Sequence, residues 1–134
     1  QKIIEMPPKN LMFPGFVDEE ILLGAFSAAD LFLFMTYEEN EGIVVLESLS
    51  TKLPILLRDI PVYNGWLEDG KNCLKAKTTA DFIEKLEMIV NNKVENIEEI
   101  KENGREVART RDLAEVGKKY KEYYEHILEE FGKK

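Results

Sequence analysis

Apolar residues recur along this chain with two different spacings, and the switching between them outlines the fold. The segment DEEILLGAFSAAD (18–30) places Ile21, Leu22, Ala25 and Phe26 at helical spacing behind an acidic first turn, which predicts a helix. LFLFM (31–35) is a continuous apolar run without alternation, the mark of a strand buried on both faces of a parallel sheet. A second helix is predicted from near Gly42, with Val45, Leu46, Leu49 and Leu53 as its apolar stripe. PILL (54–57) reads as another short buried strand.

Around this centre the pattern continues. KNLMFPGFV (9–17) mixes apolar residues with a Pro-Gly break and predicts a short strand ending in a turn. RDIPVYNGWLEDGKN (58–72) is loop and turn, and NCLKA (72–76) a last short strand. TTADFIEKLEMIVNN (78–92) opens on a Thr/Asp start and keeps Phe82, Ile83, Leu86, Ile89 and Val90 at helical spacing. Two charged helices follow, roughly 95–109 and 112–131, with Tyr120, Tyr123 and Tyr124 on one side of the second. Strand–helix–strand–helix–strand is the α/β order of a doubly wound parallel sheet. The expected organisation is one α/β domain over 1–92 completed by C-terminal helices over 93–134. Such sheets bind ligands in the crevice at the carboxyl ends of their strands, which puts loops 15–18, 36–41 and 58–65 on one rim.

Composition narrows the partners. A net charge of −8 argues against nucleic acid, and against contact with an anionic membrane through this piece. One cysteine, Cys73, excludes an internal disulfide and suits the cytosol; with His126 the only histidine, a Cys/His zinc site is excluded too. No apolar run approaches the roughly 18 residues of a membrane span, and nothing at the start resembles a signal peptide. The first residue is Gln, so the chain is expected to be a fragment, a processed chain or a trimmed one. Cys73 reads as a small core residue and His126 as a surface or packing residue. Tyr63 and Trp66 follow the third rim loop, where core packing is favoured over contact with an acceptor.

The candidate chemistry lies in MTYEENEGIVVLES (35–48), where Glu38, Glu39 and Glu41 crowd the end of a strand and Glu47 follows inside the next helix. Capping and the helix dipole favour acidic residues before a helix with no ligand at all. That account leaves out Glu47, four residues beyond Ile43 and close to the apolar stripe. Between Glu39 and Glu47, the N–H groups of Gly42, Ile43 and Val44 stand at a helix N-terminus, where donors and dipole suit a phosphate. Gly42 lacks a Cβ and lets a bulky anion approach. One carboxylate before and one after a phosphate site could accept hydrogen bonds from sugar hydroxyl pairs.

ADLFLFMTYEENEGIVVLESLSTKLPILLRDIPVYNGWLEDGKNCL resembles the donor-binding domain of the retaining glycosyltransferases of family 4, which have the two-domain GT-B fold. That family carries two glutamates with seven residues between them, a small-residue stretch with G-x-P, and an E-x-x-x-x-G-x-N-G turn. Here they read as Glu39 and Glu47, SLSTKLP, and WLEDGKNC; NLMFPGFVDEEILLGAFSAADLFLF is similar to the strand, turn and helix that precede the motif. The likeness runs over positions 9 to 90. YEENEGIVVLE and RDIPVYNGWLEDG are most similar to bacterial enzymes that glucosylate diacylglycerol or related membrane lipids. The resemblance implies a Rossmann-like half of a GT-B enzyme that moves a hexose from a nucleotide sugar, UDP-glucose for the nearest group, with retention. Glu39 would bind sugar hydroxyls near the transferred carbon and Glu47 the ribose hydroxyls. The N–H groups of Ile43 and Val44, beside Gly42, would take the diphosphate, and Gly15, Phe16 and Val17 would lie against the base. No cofactor or metal is implied, and the intact enzyme would be cytoplasmic, peripheral at the inner membrane face.

Two positions depart from the family pattern: Lys52 replaces a glycine before Leu53-Pro54, and Glu41 replaces an aromatic residue before Gly42. The family's first strand–helix units, which carry an Arg and a Lys for the diphosphate, and its acceptor domain are not expected in this piece. Arg58 is the only cation expected near the acidic loop, so a dianion would meet net repulsion and the chain alone would be inactive. Two other classes remain open. One is a non-catalytic α/β module that binds a protein, with the glutamates as cap and surface; the other is a nucleotide-sugar epimerase, for which His126 lies far downstream.

Overall fold

In a computed structural model, which describes residues 8–132, three short parallel strands carry the molecule. They are β1 (Phe32–Phe34), β2 (Ile55–Arg58) and β3 (Leu74–Ala76), side by side in that order. Phe32 pairs with Ile55, and Leu57 with Lys75. Every residue of β2 is buried, as an unalternated apolar run requires when both faces are covered.

Helices follow the predicted order: α1 (Glu19–Ala28), α2 (Ile43–Ser50), α3 (Thr79–Val90), α4 (Ile97–Arg109) and α5 (Leu113–Phe131). A single 3₁₀ turn, Pro61–Tyr63, interrupts the loop after β2. One core gathers Val45 and Leu49 of α2, Ile55 and Leu57 of β2, Tyr63, Leu67, Cys73 and Ala108 of α4. The second, on the other sheet face, holds Leu56, Leu74, Ala76, Phe82 and Ile100. Side chains of β2 alternate between them, so the strand is the partition of the domain. α3 starts on a capping box, Thr78 Oγ1 accepting from Asp81 N–H while the Asp81 carboxylate accepts from Thr78 N–H. α4 comes so close to α2 that a Cβ on Gly104 would meet Leu49 Cδ2 at 2.7 Å and Asn72 O at 2.9 Å.

Two expectations need correction. Residues 9–17 form no strand; they run irregularly, with Leu11, Met12 and Phe13 exposed. A strand exists only through a neighbour, and the outer edge of β1 pairs with no strand among the described residues. For the same reason β1 is an edge strand that leaves Leu33 exposed, not one buried on both faces. On α1 only Phe26 is buried, edge-to-face on Phe32 at 5.4 Å, while Ile21 and Ala25 stay exposed. The part of the expected domain that covers residues 1–7 lies outside the described residues.

The remainder is a partial Rossmann-like α/β sheet, the kind of half from which a GT-B fold is built. β1, β2 and β3 all end on one rim, and the loops after β1 and β2 meet there.

Candidate functional site

The loop 36–42 carries the chain from the carboxyl end of β1 into α2. Gly42 is the N-cap of α2 and stands at φ 73°, the left-handed region where a side chain is strained. This conformation turns the backbone so that α2 begins abruptly, with Val45 N–H the first to close on Gly42 O at 2.9 Å. No side chain caps the helix. Ile43 and Val44 N–H are therefore orphan donors of the first turn, at the positive end of the dipole.

Glu39 is half-buried, and its Oε1 accepts from Asn40 N–H at 2.9 Å. That bond is local to the loop and caps nothing. Glu47 is also half-buried, in the second turn of α2, and among the described residues its carboxylate has no hydrogen bond or ion pair. The capping explanation thus fails for both glutamates: neither touches the helix N-terminus. Glu38 and Glu41 are exposed.

The other predicted binding residues stand apart. Gly15 makes the expected turn at φ 73°, Phe16 is fully exposed and Val17 half-buried. Among the described residues no hydrogen bond or aromatic contact ties these three to the acidic loop.

Arg58 is not the free rim cation that its place after β2 suggested. It is 7% exposed, with Nε donating to Met35 O at 3.2 Å and Nη1 to Lys77 O at 2.7 Å. Tyr37 covers its guanidinium at 3.9 Å and Phe82 lies on it at 5.2 Å. Arg58 therefore ties together the carboxyl ends of β1 and β3, one on each side of its own strand. A planar fork with donors in two directions can do this; a lone lysine cannot.

Beneath the loop lies Tyr63, for which the sequence favours packing over contact with an acceptor. Tyr63 is fully buried, its ring in the core beside Trp66 and its tip against Gly42. Burial raises the phenol above its ordinary range, and the Glu39 charge raises it further. Thr36 Oγ1 lies close enough to ease the shift, but neither hydroxyl has a partner in hydrogen-bonding geometry among the described residues. Lys52 stands just past α2 at φ 61°, a left-handed conformation that favours glycine, and pairs with Glu102 of α4. Among the described residues no group of three or more His, Cys, Asp and Glu side chains is placed to hold a metal ion.

A parallel α/β half with an uncapped helix N-terminus between two half-buried carboxylates is a candidate nucleotide-sugar donor site. Residues 5–107 match the model of glycosyl transferases group 1, and the chain belongs to that family. It is 40% identical over 128 residues to the processive diacylglycerol alpha-glucosyltransferase of Acholeplasma laidlawii, which covers 96% of this chain and 38% of that protein. It is also 46% identical over 66 residues to the alpha-galactosylglucosyldiacylglycerol synthase of Streptococcus pneumoniae (strain ATCC BAA-255 / R6), covering 49% of this chain and 18% of the relative. The chain thus spans less than two-fifths of either relative's length.

Proposed function

We propose that this chain is the donor-side part of a retaining hexosyltransferase that uses UDP-glucose and glucosylates a membrane glycolipid. The observation that carries the reading is the bare N-terminus of α2, whose Ile43 and Val44 N–H groups have no side-chain cap, set between Glu39 and Glu47. The names of both relatives support the acceptor class.

In this reading the diphosphate sits on Ile43 and Val44 N–H in front of Gly42. Glu47 takes the ribose hydroxyls and Glu39 the sugar hydroxyls beside the transferred carbon. The turn at Gly15, Phe16 and Val17 lies against the base. Charge grows on the diphosphate as the glycosidic bond breaks. Fixed N–H donors stabilise that charge without reorganising, and removing one such donor typically costs about 3 kcal/mol. The carboxylates orient the sugar, so their contribution is positional. No metal is required.

Glu38, Glu39, Glu41 and Glu47 give the rim a negative field, and Arg58 is held inside by carbonyls. Cations for the diphosphate must then come from another part of the enzyme, and the acceptor from a further domain. The chain by itself is expected to bind donor weakly and to transfer nothing. Labelled UDP-glucose and diacylglycerol vesicles, given to the full-length protein, test the assignment. An α-linked glucolipid supports it; a β-linked product overturns retention, and no transfer to any glycerolipid overturns the acceptor class.

A further inference from the structure

Among the described residues, two buried hydroxyls at the acidic loop have no partner in hydrogen-bonding geometry, although they lie close enough together for Thr36 to oppose the upward shift of Tyr63. Tyr63 Oη and Thr36 Oγ1 are each buried and unpaired among the described residues. A phenylalanine at 63 would fill the same space between Val45, Leu49, Leu67 and Trp66 without an orphan donor. Packing therefore accounts for the ring but not for the hydroxyl. The tip of Tyr63 is aimed at the site: a Cβ on Gly42 would lie 3.4 Å from Oη. The same hydroxyl feels the charge of Glu39. Thr36 stands three residues before Glu39 in the loop itself.

Nearby groups leave few acceptors. Gly42 O already takes Val45 N–H, and Arg58 covers Met35 O. The Glu39 carboxylate has taken one hydrogen bond, from Asn40 N–H on Oε1, and keeps further acceptor capacity. The two hydroxyls and this carboxylate therefore make a complementary set of donors and acceptor around one loop.

We infer that Tyr63 and Thr36 are positioning residues for Glu39, their hydroxyls donating to its carboxylate when it turns to face the donor sugar. In the structure the carboxylate rests on Asn40 N–H. With the sugar bound, one oxygen meets sugar hydroxyls while the other is held from below. The unpaired hydroxyls are the standing cost of a seat that is filled only during turnover, an arrangement that fixes the orienting group from beneath. This inference rests on the donor-site reading of Glu39.

The test uses the full-length enzyme and UDP-glucose. Tyr63→Phe is expected to lower kcat about tenfold, the loss of one hydrogen bond to a charged group, with KM for UDP-glucose within about twofold of wild type. Its thermal midpoint should equal or exceed that of wild type, because the orphan donor is gone. Thr36→Val, of nearly the same shape, should act in the same direction. In a Glu39→Ala background neither change should lower the residual rate further, since the group they serve is absent. Full kcat in both variants, or equal losses with and without Glu39, overturns the inference while leaving the donor site intact. A wild-type enzyme that neither binds nor uses UDP-glucose overturns both together.

Discussion

Tyr63 lies directly against Gly42: a Cβ placed on the glycine would come within 3.2 Å of Tyr63 Cε1. The contact couples the third rim loop to the start of α2. It also means that Gly42 is required twice, for its left-handed backbone and for the space above the ring. Gly42→Ala is expected to destabilise the fold by about 1–2 kcal/mol from backbone conformation alone. UDP-glucose affinity should fall as well, because the first turn of α2 must shift off Tyr63. Urea unfolding and donor titration of the same variant check both effects.

Arg58 should matter to the fold and much less to donor affinity. Replacing it with Met strands the carbonyls of Met35 and Lys77 at the ends of β1 and β3. The expected loss is about 2–3 kcal/mol in urea unfolding. Arg58→Lys should recover little of it, since an ammonium cannot reach both carbonyls in one plane.

The Cys73 thiol gives a pH signature. Burial pushes its pKa up to about 12 from 9.0, with Lys75 and Lys85 opposing and Asp69 and Asp59 adding to the rise. The unfolded thiol releases its proton near pH 9 and the folded one holds it, so the folded state binds more protons and stability falls as pH rises. Below pH 9 the contribution is fully present; above it the loss approaches about 1.4 kcal/mol per pH unit. Thermal melts from pH 8 to 10 should show this fall in wild type and a shallower one in Cys73→Ala. The native thiol should also resist alkylation until the protein unfolds.

Lys52 offers the reverse case, a residue that the backbone does not favour. At φ 61° it pays the left-handed penalty, and its pairing with Glu102 is a surface ion pair. Lys52→Gly is expected to raise stability by about 0.5–1 kcal/mol, and the gain should grow with salt as the lost pair matters less. A loss of stability at low salt that fades at high salt would show that the ion pair carries more than its exposure suggests.

Much of this was legible along the chain because the relevant contacts are local or periodic. The run Ile55–Leu57, the stripe of Val45 and Leu49, and the Thr78/Asp81 start of α3 each declare themselves within a few residues. The glutamates and Gly42 were visible for the same reason. Residues 9–17 misled because a strand is a property of two chains, and the sequence of one cannot say whether the other is there. Arg58 misled for a related reason: its partners, Met35 and Lys77, lie 23 and 19 residues away and meet it only when three strands align. Tyr63 looked like packing and its ring is packing; only the fold brings its hydroxyl beneath Gly42 and Glu39.

The most direct measurement is UDP-glucose binding by calorimetry to the full-length protein, wild type against Glu47→Gln and Glu41→Gln. Glu47→Gln is expected to weaken binding at least tenfold, as charged hydrogen bonds to the ribose become neutral ones. Exposed Glu41 should lose nothing when neutralised, or gain slightly as repulsion of the diphosphate falls. Unchanged affinity in Glu47→Gln would contradict the donor site as placed here. If wild type responds neither to UDP-glucose nor to GDP-mannose, the rim loop is not a donor site at all, and a protein-binding role takes its place.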